Sequence, residues 1–161
     1  PIASKEIKRE LAYYRHLNSY LKDWRGLTRY YGTVETNLGT GYVYDRIVDF
    51  DGKISQTIRD RYTLENLQNN WQELKEIVEK LEKYMWDNRI ITMALKPHNV
   101  LCHRISENEI FPVICDNIGV ATRIPVVLYC PWLCRRKQKK LFAKFEHQPL
   151  IQALRKCEKA H

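Results

Sequence analysis

The stretch of residues 64–86 constrains the fold most, because it is the longest segment with an unbroken helical pattern. Its apolar residues recur at spacings of three and four, as in an amphipathic helix of about six turns. These residues are Leu64, Leu67, Trp71, Leu74, Val78, Leu81 and Met85. Thr63 precedes them and is the predicted N-cap. Such a helix must bury its apolar face, so we predict that it is the scaffold of the core.

Helical and strand-like segments flank this helix on both sides. The pattern predicts a helix at residues 5–21, strands at 28–35 and 41–49 with a turn at 37–40, a hairpin of strands 99–105 and 110–115, and a basic helical region at 132–158 interrupted near Pro149. The strand segments are rich in Val, Ile and Tyr, which favour extended structure. Together these elements predict an α+β fold.

Length and composition indicate an ordinary globular chain. Its 161 residues suit one compact domain or two small lobes. No apolar run approaches the ~20 residues of a membrane helix, and the first residues lack the layout of a secretory signal. The five cysteines follow no disulfide or zinc spacing, and we expect them to be reduced and mostly buried. These features predict a soluble cytoplasmic protein.

The net charge is +8, and the cations concentrate near the C-terminal end. They include Arg135, Arg136, Lys137, Lys139, Lys140, Lys144, Arg155, Lys156 and Lys159. Such a field attracts nucleic acid or an acidic surface, so a basic binding module is one alternative function. A solvated helix face accounts for the same pattern, and Trp132, Phe142 and Phe145 are expected in the core. Nucleic acid is therefore not the partner that we favour.

Three polar residues stand in a suggestive order around the second predicted hairpin. Lys96 and Asn99 lie just before its first strand, and Asp116 follows its second strand. Amide and carboxylate oxygens are the ligands that Mg²⁺ prefers, and a nearby lysine offsets charge on a transferring phosphate. Asn99 and Asp116 are therefore candidate metal ligands and Lys96 is a candidate catalytic residue. The alternative is that Asn99 and Asp116 only cap turns.

These motifs resemble those of the protein kinases. Residues 95–99, Leu-Lys-Pro-His-Asn, are similar to the kinase catalytic loop, and residues 116–119, Asp-Asn-Ile-Gly, resemble the Asp-Phe-Gly motif. Upstream, Glu10 lies in a segment similar to the kinase C-helix. Residues 42–48 resemble the strand that enters the hinge, which implies that Tyr44, Asp45 and Ile47 contact the adenine of ATP. The resemblance thus implies ATP and Mg²⁺ as cofactors.

A closer resemblance is to the bacterial YrbL family of PhoP regulatory network proteins, a branch of the kinase-like superfamily. The segments that carry it are residues 5–11, 32–36, 39–45, 49–53, 95–107 and 115–119. It implies a kinase-like α+β fold with a truncated N-lobe of one helix and about two strands at residues 1–48. A mainly helical C-lobe would follow at residues 49–161, with the catalytic-loop-like hairpin and the basic C-terminal helices.

Three departures from the kinase pattern favour a pseudokinase. Ala94 stands where kinases have the catalytic aspartate, and Ala cannot accept a proton. Neither a glycine-rich loop nor a strand lysine precedes Glu10 in this sequence. Because no such lysine is present to pair with Glu10, we expect Glu10 to be solvated. The 116–119 motif is also one residue longer than its kinase counterpart. Two alternatives explain the incomplete N-lobe: a partner or second chain covers its exposed sheet edge, or the sequence is a truncated version of a longer family member.

The function predicted from the sequence is therefore that of a kinase-like regulatory protein that binds rather than catalyses. The alternative enzyme is a divergent Mg²⁺-dependent phosphotransferase that uses Lys96, Asn99 and Asp116, since positioning and electrostatics supply most of the rate of phosphoryl transfer.

Overall fold

A computed structural model describes residues 2–120 and 126–160, with side chains from residue 7 onward. Within these residues the chain forms the mixed α+β fold that the sequence predicts. Its elements are α1 (Ile2–Asn18), β1 (Tyr30–Thr36), β2 (Gly39–Tyr44), α2 (Ile58–Arg61), α3 (Leu67–Asp87), a 3-10 helix (Pro97–Asn99), β3 (Val100–Arg104), β4 (Ile110–Ile114), α4 (Val126–Tyr129), α5 (Pro131–Glu146) and α6 (Pro149–Ala160).

The long helix α3 is the centre of the core, as its periodicity predicts. Its buried residues are Leu67, Leu74, Ile77, Val78, Leu81, Tyr84 and Met85. The predicted start was wrong by about one turn. Thr63 and Asn66 each donate a backbone N–H to the other's side-chain oxygen, which closes a turn before the helix begins. This turn leaves Leu64 at 62% exposure instead of in the core.

Two small antiparallel sheets account for the strands. In the first sheet, β1 pairs with β2, and the register changes between Tyr30 and Gly32. The strand predicted at 41–49 ends early, because residues after Tyr44 leave the ladder and Val48 forms only an isolated bridge with Ile54. In the second sheet, β3 pairs with β4 from Val100↔Ile114 onward. The structure thus confirms both predicted hairpins.

The second hairpin is joined to the N-terminal part of the chain by backbone hydrogen bonds. Ile114 N–H donates to the Gly26 carbonyl at 2.9 Å, and Thr28 N–H donates to the Ile114 carbonyl at 3.1 Å. On its other side, Cys102 N–H donates to the Gln56 carbonyl at 2.8 Å. These contacts hold the end of β4 close to the segment that connects α1 to β1.

Helix α1 packs on the same core through buried aromatic residues. The Tyr14 hydroxyl donates to the Thr28 carbonyl at 2.8 Å, and the Tyr13 hydroxyl accepts the Ile91 N–H at 2.9 Å. Both tyrosines are almost fully buried. Helix α1 is therefore tied both to the segment that leads into β1 and to the segment before the 3-10 helix.

The C-terminal helices α5 and α6 pack against α3, with a break at residues 147–148 close to the predicted interruption. Gln138 is fully buried and donates to the carbonyls of Met85 and Ile90, which satisfies the end of α3. Phe142 and Phe145 are buried as expected, but Trp132 is 66% exposed, so its placement in the core was wrong. No helix within the described residues has the length and apolar character needed to cross a bilayer.

Candidate functional site

The second hairpin brings the chain segments of Asn99 and Asp116 to one end. Pro97 opens the 3-10 helix, and its fixed backbone geometry suits a first helical position. At the helix end, the Cys115 N–H donates to the Asn99 carbonyl at 3.0 Å and extends the β3–β4 ladder by one pair. Asp116 is the next residue. The two candidate ligands therefore lie at the same end of the hairpin. Their role in metal binding stays a prediction.

The side chains of the two candidate ligands are held differently. Asn99 is 1% exposed, and its amide nitrogen donates to the Ala94 carbonyl at 3.4 Å, so this residue also braces the loop before it. The Asp116 carboxylate accepts the Asn117 N–H at 2.6 Å and the Asn117 side-chain amide at 3.2 Å, in a solvent-exposed turn. Asp116 thus stabilises its own turn, whereas Asn99 bonds across the preceding loop.

Asn117 accommodates the extra residue of the 116–119 motif. Its φ of 57° lies in the left-handed region, which Asn tolerates better than most residues. This turn allows the Asn117 carbonyl to accept the Met93 N–H at 2.7 Å, while Thr92 bridges Ile118. The segment after Asp116 is thus paired with the segment before the 3-10 helix.

Glu10 faces this end of the hairpin and is half-buried, where full solvation was expected. Burial raises the pKa of Glu10, a hydrogen bond from the Tyr44 hydroxyl opposes that shift, and the negative charge of Asp116 adds to the rise. Gly119 explains the close approach, since a Cβ built there would lie 3.7 Å from the Glu10 Cα. Two carboxylates from distant parts of the chain therefore share one small region.

The predicted adenine-contacting residues lie at the end of β2 and just after it. The Tyr44 ring packs against Tyr30 and Tyr14, with centroids 5.3 and 6.0 Å apart, so it is directed towards α1. The Asp45 carboxylate accepts the Arg29 N–H at 2.8 Å and the Tyr31 hydroxyl at 2.7 Å.

Ile47 follows in the connection after β2, and its carbonyl accepts the Ser55 N–H at 3.1 Å. The Asp45 side chain is committed to the first hairpin through the bonds to Arg29 and Tyr31. The nucleotide role of Tyr44, Asp45 and Ile47 stays a prediction.

Lys96 and its neighbours define what this site can do chemically. Lys96 is exposed at the start of the 3-10 helix, and its ammonium makes no ion pair with any residue that the structure describes. Ala94 provides only a methyl group, and the Thr92 hydroxyl is buried without a hydrogen-bond partner among the described residues. The loop thus offers a lysine ammonium and the amide oxygen of Asn99, while Ala94 supplies no proton acceptor.

A separate network fixes the connection between β2 and α2. The Asp49 carboxylate accepts the Arg104 N–H at 2.9 Å and the Ser55 hydroxyl, and Arg104 pairs with Asp51 at 3.2 Å. The Arg104 guanidinium also lies over the Phe50 ring. This network accounts structurally for the charged residues at 49–53.

Sequence reasoning missed the carboxylate pair of Glu10 and Asp116 together with the Tyr44 hydroxyl. Tyr14, one turn after Glu10 on the same helix face, could have revealed this arrangement. The Tyr14 ring had to be buried, and its burial places that face towards β1 and β2. Among residues 2–120 and 126–160, no group of three or more His, Cys, Asp or Glu side chains is suited to hold a metal ion.

Comparison with known proteins agrees with the resemblance that these segments carry. The profile of the family described as "PhoP regulatory network protein YrbL" matches residues 2–150. The YrbL proteins of Escherichia coli (strain K12) and Shigella flexneri are each 52% identical over 147 residues, which cover 91% of this chain and 70% of theirs. The chain therefore belongs to the YrbL family of PhoP regulatory network proteins.

Proposed function

We propose that the protein is a kinase-like regulatory protein of the PhoP network, and that it is a pseudokinase which binds a magnesium nucleotide without efficient phosphotransfer. The observation that carries this proposal is that the chain segments of Asn99 and Asp116 meet at one end of the hairpin, with Glu10 close enough to Asp116 for their charges to interact. Helix α1 presents a carboxylate to the end of a hairpin, where an amide and a second carboxylate follow in the order that the protein kinases use. The regulatory role rests on family membership.

The residues present fit a magnesium nucleotide in their chemistry. The Asn99 amide oxygen and the Asp116 carboxylate are hard oxygen donors, which suit Mg²⁺. Two neighbouring carboxylates repel each other, and a bound cation relieves that repulsion. Mg²⁺ would supply charge neutralisation for the phosphates. Lys96 would add a second positive charge, and residues 44–47 would contact the adenine.

The alanine at position 94 supports binding over catalysis. Ala94 occupies the position of the kinase aspartate, and the nearby Thr92 hydroxyl is buried and cannot replace it. Removal of one general base lowers the rate of such a reaction by about 10²–10⁴-fold. A divergent phosphotransferase that uses Lys96, Asn99 and Asp116 is the second candidate, because these residues retain the electrostatic part of the mechanism.

Regulation through binding also agrees with the surface of the first hairpin. Tyr31, Val34 and Leu38 are 64%, 50% and 93% exposed. A two-stranded sheet has free edges and little core of its own. A protein partner or a second chain that covers β1 and β2 would bury these side chains. The basic C-terminal residues favour nucleic acid less, since Arg135 stacks on Trp86 and is thus directed onto α3.

Thermal unfolding with ATP, in the presence of MgCl₂ or of EDTA, tests nucleotide binding. A ligand at about 100 times its Kd stabilises the folded state by about 2.7 kcal/mol, which for a chain of this size raises Tm by about 5–10 °C. We expect that rise with MgCl₂ only. Asp116→Asn should abolish it, whereas Glu107→Gln, at the opposite end of the same hairpin, should not.

A phosphotransfer assay then separates the two candidates. The pseudokinase proposal predicts nucleotide binding without detectable product. Product that disappears in Asp116→Asn would establish the phosphotransferase instead. Equal Tm values with and without magnesium ATP would refute both.

A further inference from the structure

A concave cavity lies apart from the candidate metal residues. Its volume is about 300 Å³, and Lys96, Asn99 and Asp116 do not line it. It is enclosed by α2, the turn that follows α2, the 3-10 helix and the start of α6. The lining residues are Arg59, Tyr62, Thr63, Leu64, Pro97, His98, Gln148, Pro149 and Leu150.

The walls of this cavity are largely apolar. Tyr62 and Pro97 are buried, and Leu150 packs partly buried against the core, so the floor is formed by the protein interior. Leu64 contributes an exposed side chain at the rim, because the turn closed by Thr63 removes it from α3. Because this apolar wall is exposed to water, a ligand that displaces the water binds more favourably.

The charged groups at the cavity rim are positive. Arg59 lines it, and its Nε forms a long, exposed ion pair with one carboxylate oxygen of Asp60 at 3.9 Å, a kind of pair that contributes little energy. The other oxygen of Asp60 accepts the Thr57 hydroxyl at 2.7 Å at the start of α2. The neighbouring Arg61 is directed away, to Glu73. The Arg59 side chain is 67% exposed, so a ligand can reach its guanidinium.

His98 and Gln148 provide further polar groups at the same opening, and none of the lining residues is acidic. An imidazole and a carboxamide can both donate hydrogen bonds to an anion. Ligand sites in proteins combine apolar walls with a few convergent polar groups, and a volume near the lower end of their range suits a single ring or branched chain.

We propose that this cavity binds a small carboxylate with an apolar body, whose ring or branched chain packs on Tyr62, Leu64 and Leu150 while the carboxylate pairs with Arg59. Planar guanidinium groups match carboxylates geometrically, which makes such a pair directional. Pro97 and His98 belong to the same loop as Lys96 and Asn99, but the test of this site does not require the proposed function to be correct.

Three matched probes test the proposal on the full chain by two-dimensional NMR: phenylacetate, phenylacetamide and acetate. Phenylacetate should shift the signals of Leu64, His98 and Leu150 in a saturable way. Phenylacetamide keeps the ring without the charge, and acetate keeps the charge without the ring. Each should bind at least about tenfold more weakly, since a charge-assisted hydrogen bond or a buried ring is worth that factor or more.

Two variants and a control complete the experiment. Arg59→Gln should weaken phenylacetate binding about tenfold, and Leu64→Ser, at a position that is 62% exposed, should weaken it as well. Arg136→Gln removes an exposed arginine from α5 and should leave the affinity unchanged. Equal binding of phenylacetate and phenylacetamide, or unchanged affinity in Arg59→Gln, would overturn the proposal. So would the absence of saturable shifts with any probe.

Discussion

Replacement of Gly119 by alanine tests how the loop after Asp116 is placed against α1. Gly119 has a φ of 136°, a conformation that residues with a Cβ rarely adopt, and holding alanine there costs about 1–3 kcal/mol. Space is not the obstacle, since the nearest atoms to a Cβ would be 3.7 Å away, and burying one methyl returns at most about 0.8 kcal/mol. We therefore expect Gly119→Ala to lose about 1–2 kcal/mol of unfolding free energy.

Urea and thermal denaturation measure this loss, which corresponds to a Tm lower by about 2–8 °C. Gly32→Ala is the matched control, because Gly32 has a φ of 126° and a Cβ added there would have nothing within 4 Å. Both variants should be destabilised if the backbone conformation is the cause. An unchanged Tm for Gly119→Ala would refute the reasoning, because alanine would then adopt this backbone without cost.

Three further variants test other parts of the account by urea unfolding. Tyr14→Phe should lose about 1–2 kcal/mol, because the buried Thr28 carbonyl loses its donor; no loss would contradict that bond. Thr92→Val should gain about 1 kcal/mol, because it removes a buried hydroxyl that has no hydrogen-bond partner in the described part of the chain, and a loss would mean that the hydroxyl is satisfied. Burial raises the pKa of Glu10. Ionisation of Glu10 therefore destabilises the folded state as the pH rises from 4.5, the ordinary pKa of this group, through the raised pKa. Glu10→Gln should therefore exceed the wild type in stability at about pH 8 in metal-free buffer and match it at about pH 4, and equal stability at both values would contradict the burial of this carboxylate.

The elements with strong periodicity were predictable from the sequence. The core-facing residues of α3 follow one helical stripe, and the Val, Ile and Cys residues across 99–115 identified the second hairpin. The start of α3 was not predictable to the residue. Thr63 and Asn66 both suit a cap, and their reciprocal hydrogen bonds, which select the later start, become visible only in three dimensions.

The sequence motifs name candidate site residues, but they could not predict the surroundings of those residues. Lys96, Asn99 and Asp116 come from motifs, and motifs carry no information on what faces them. Glu10 was expected to be solvated because an isolated glutamate on a helix usually is. Its burial depends on Tyr44, which the first hairpin delivers from about thirty residues away along the chain.

The most direct test of the central claim is whether Asn99 and Asp116 hold one divalent ion. Mn²⁺, as a paramagnetic substitute for Mg²⁺, broadens the NMR signals of nearby nuclei. The account predicts selective broadening at Asn99, Asp116 and Glu10 that Asp116→Asn abolishes and excess Mg²⁺ reverses. Broadening only at the glutamate side chains of α3, or no broadening at the end of the second hairpin, would contradict this prediction.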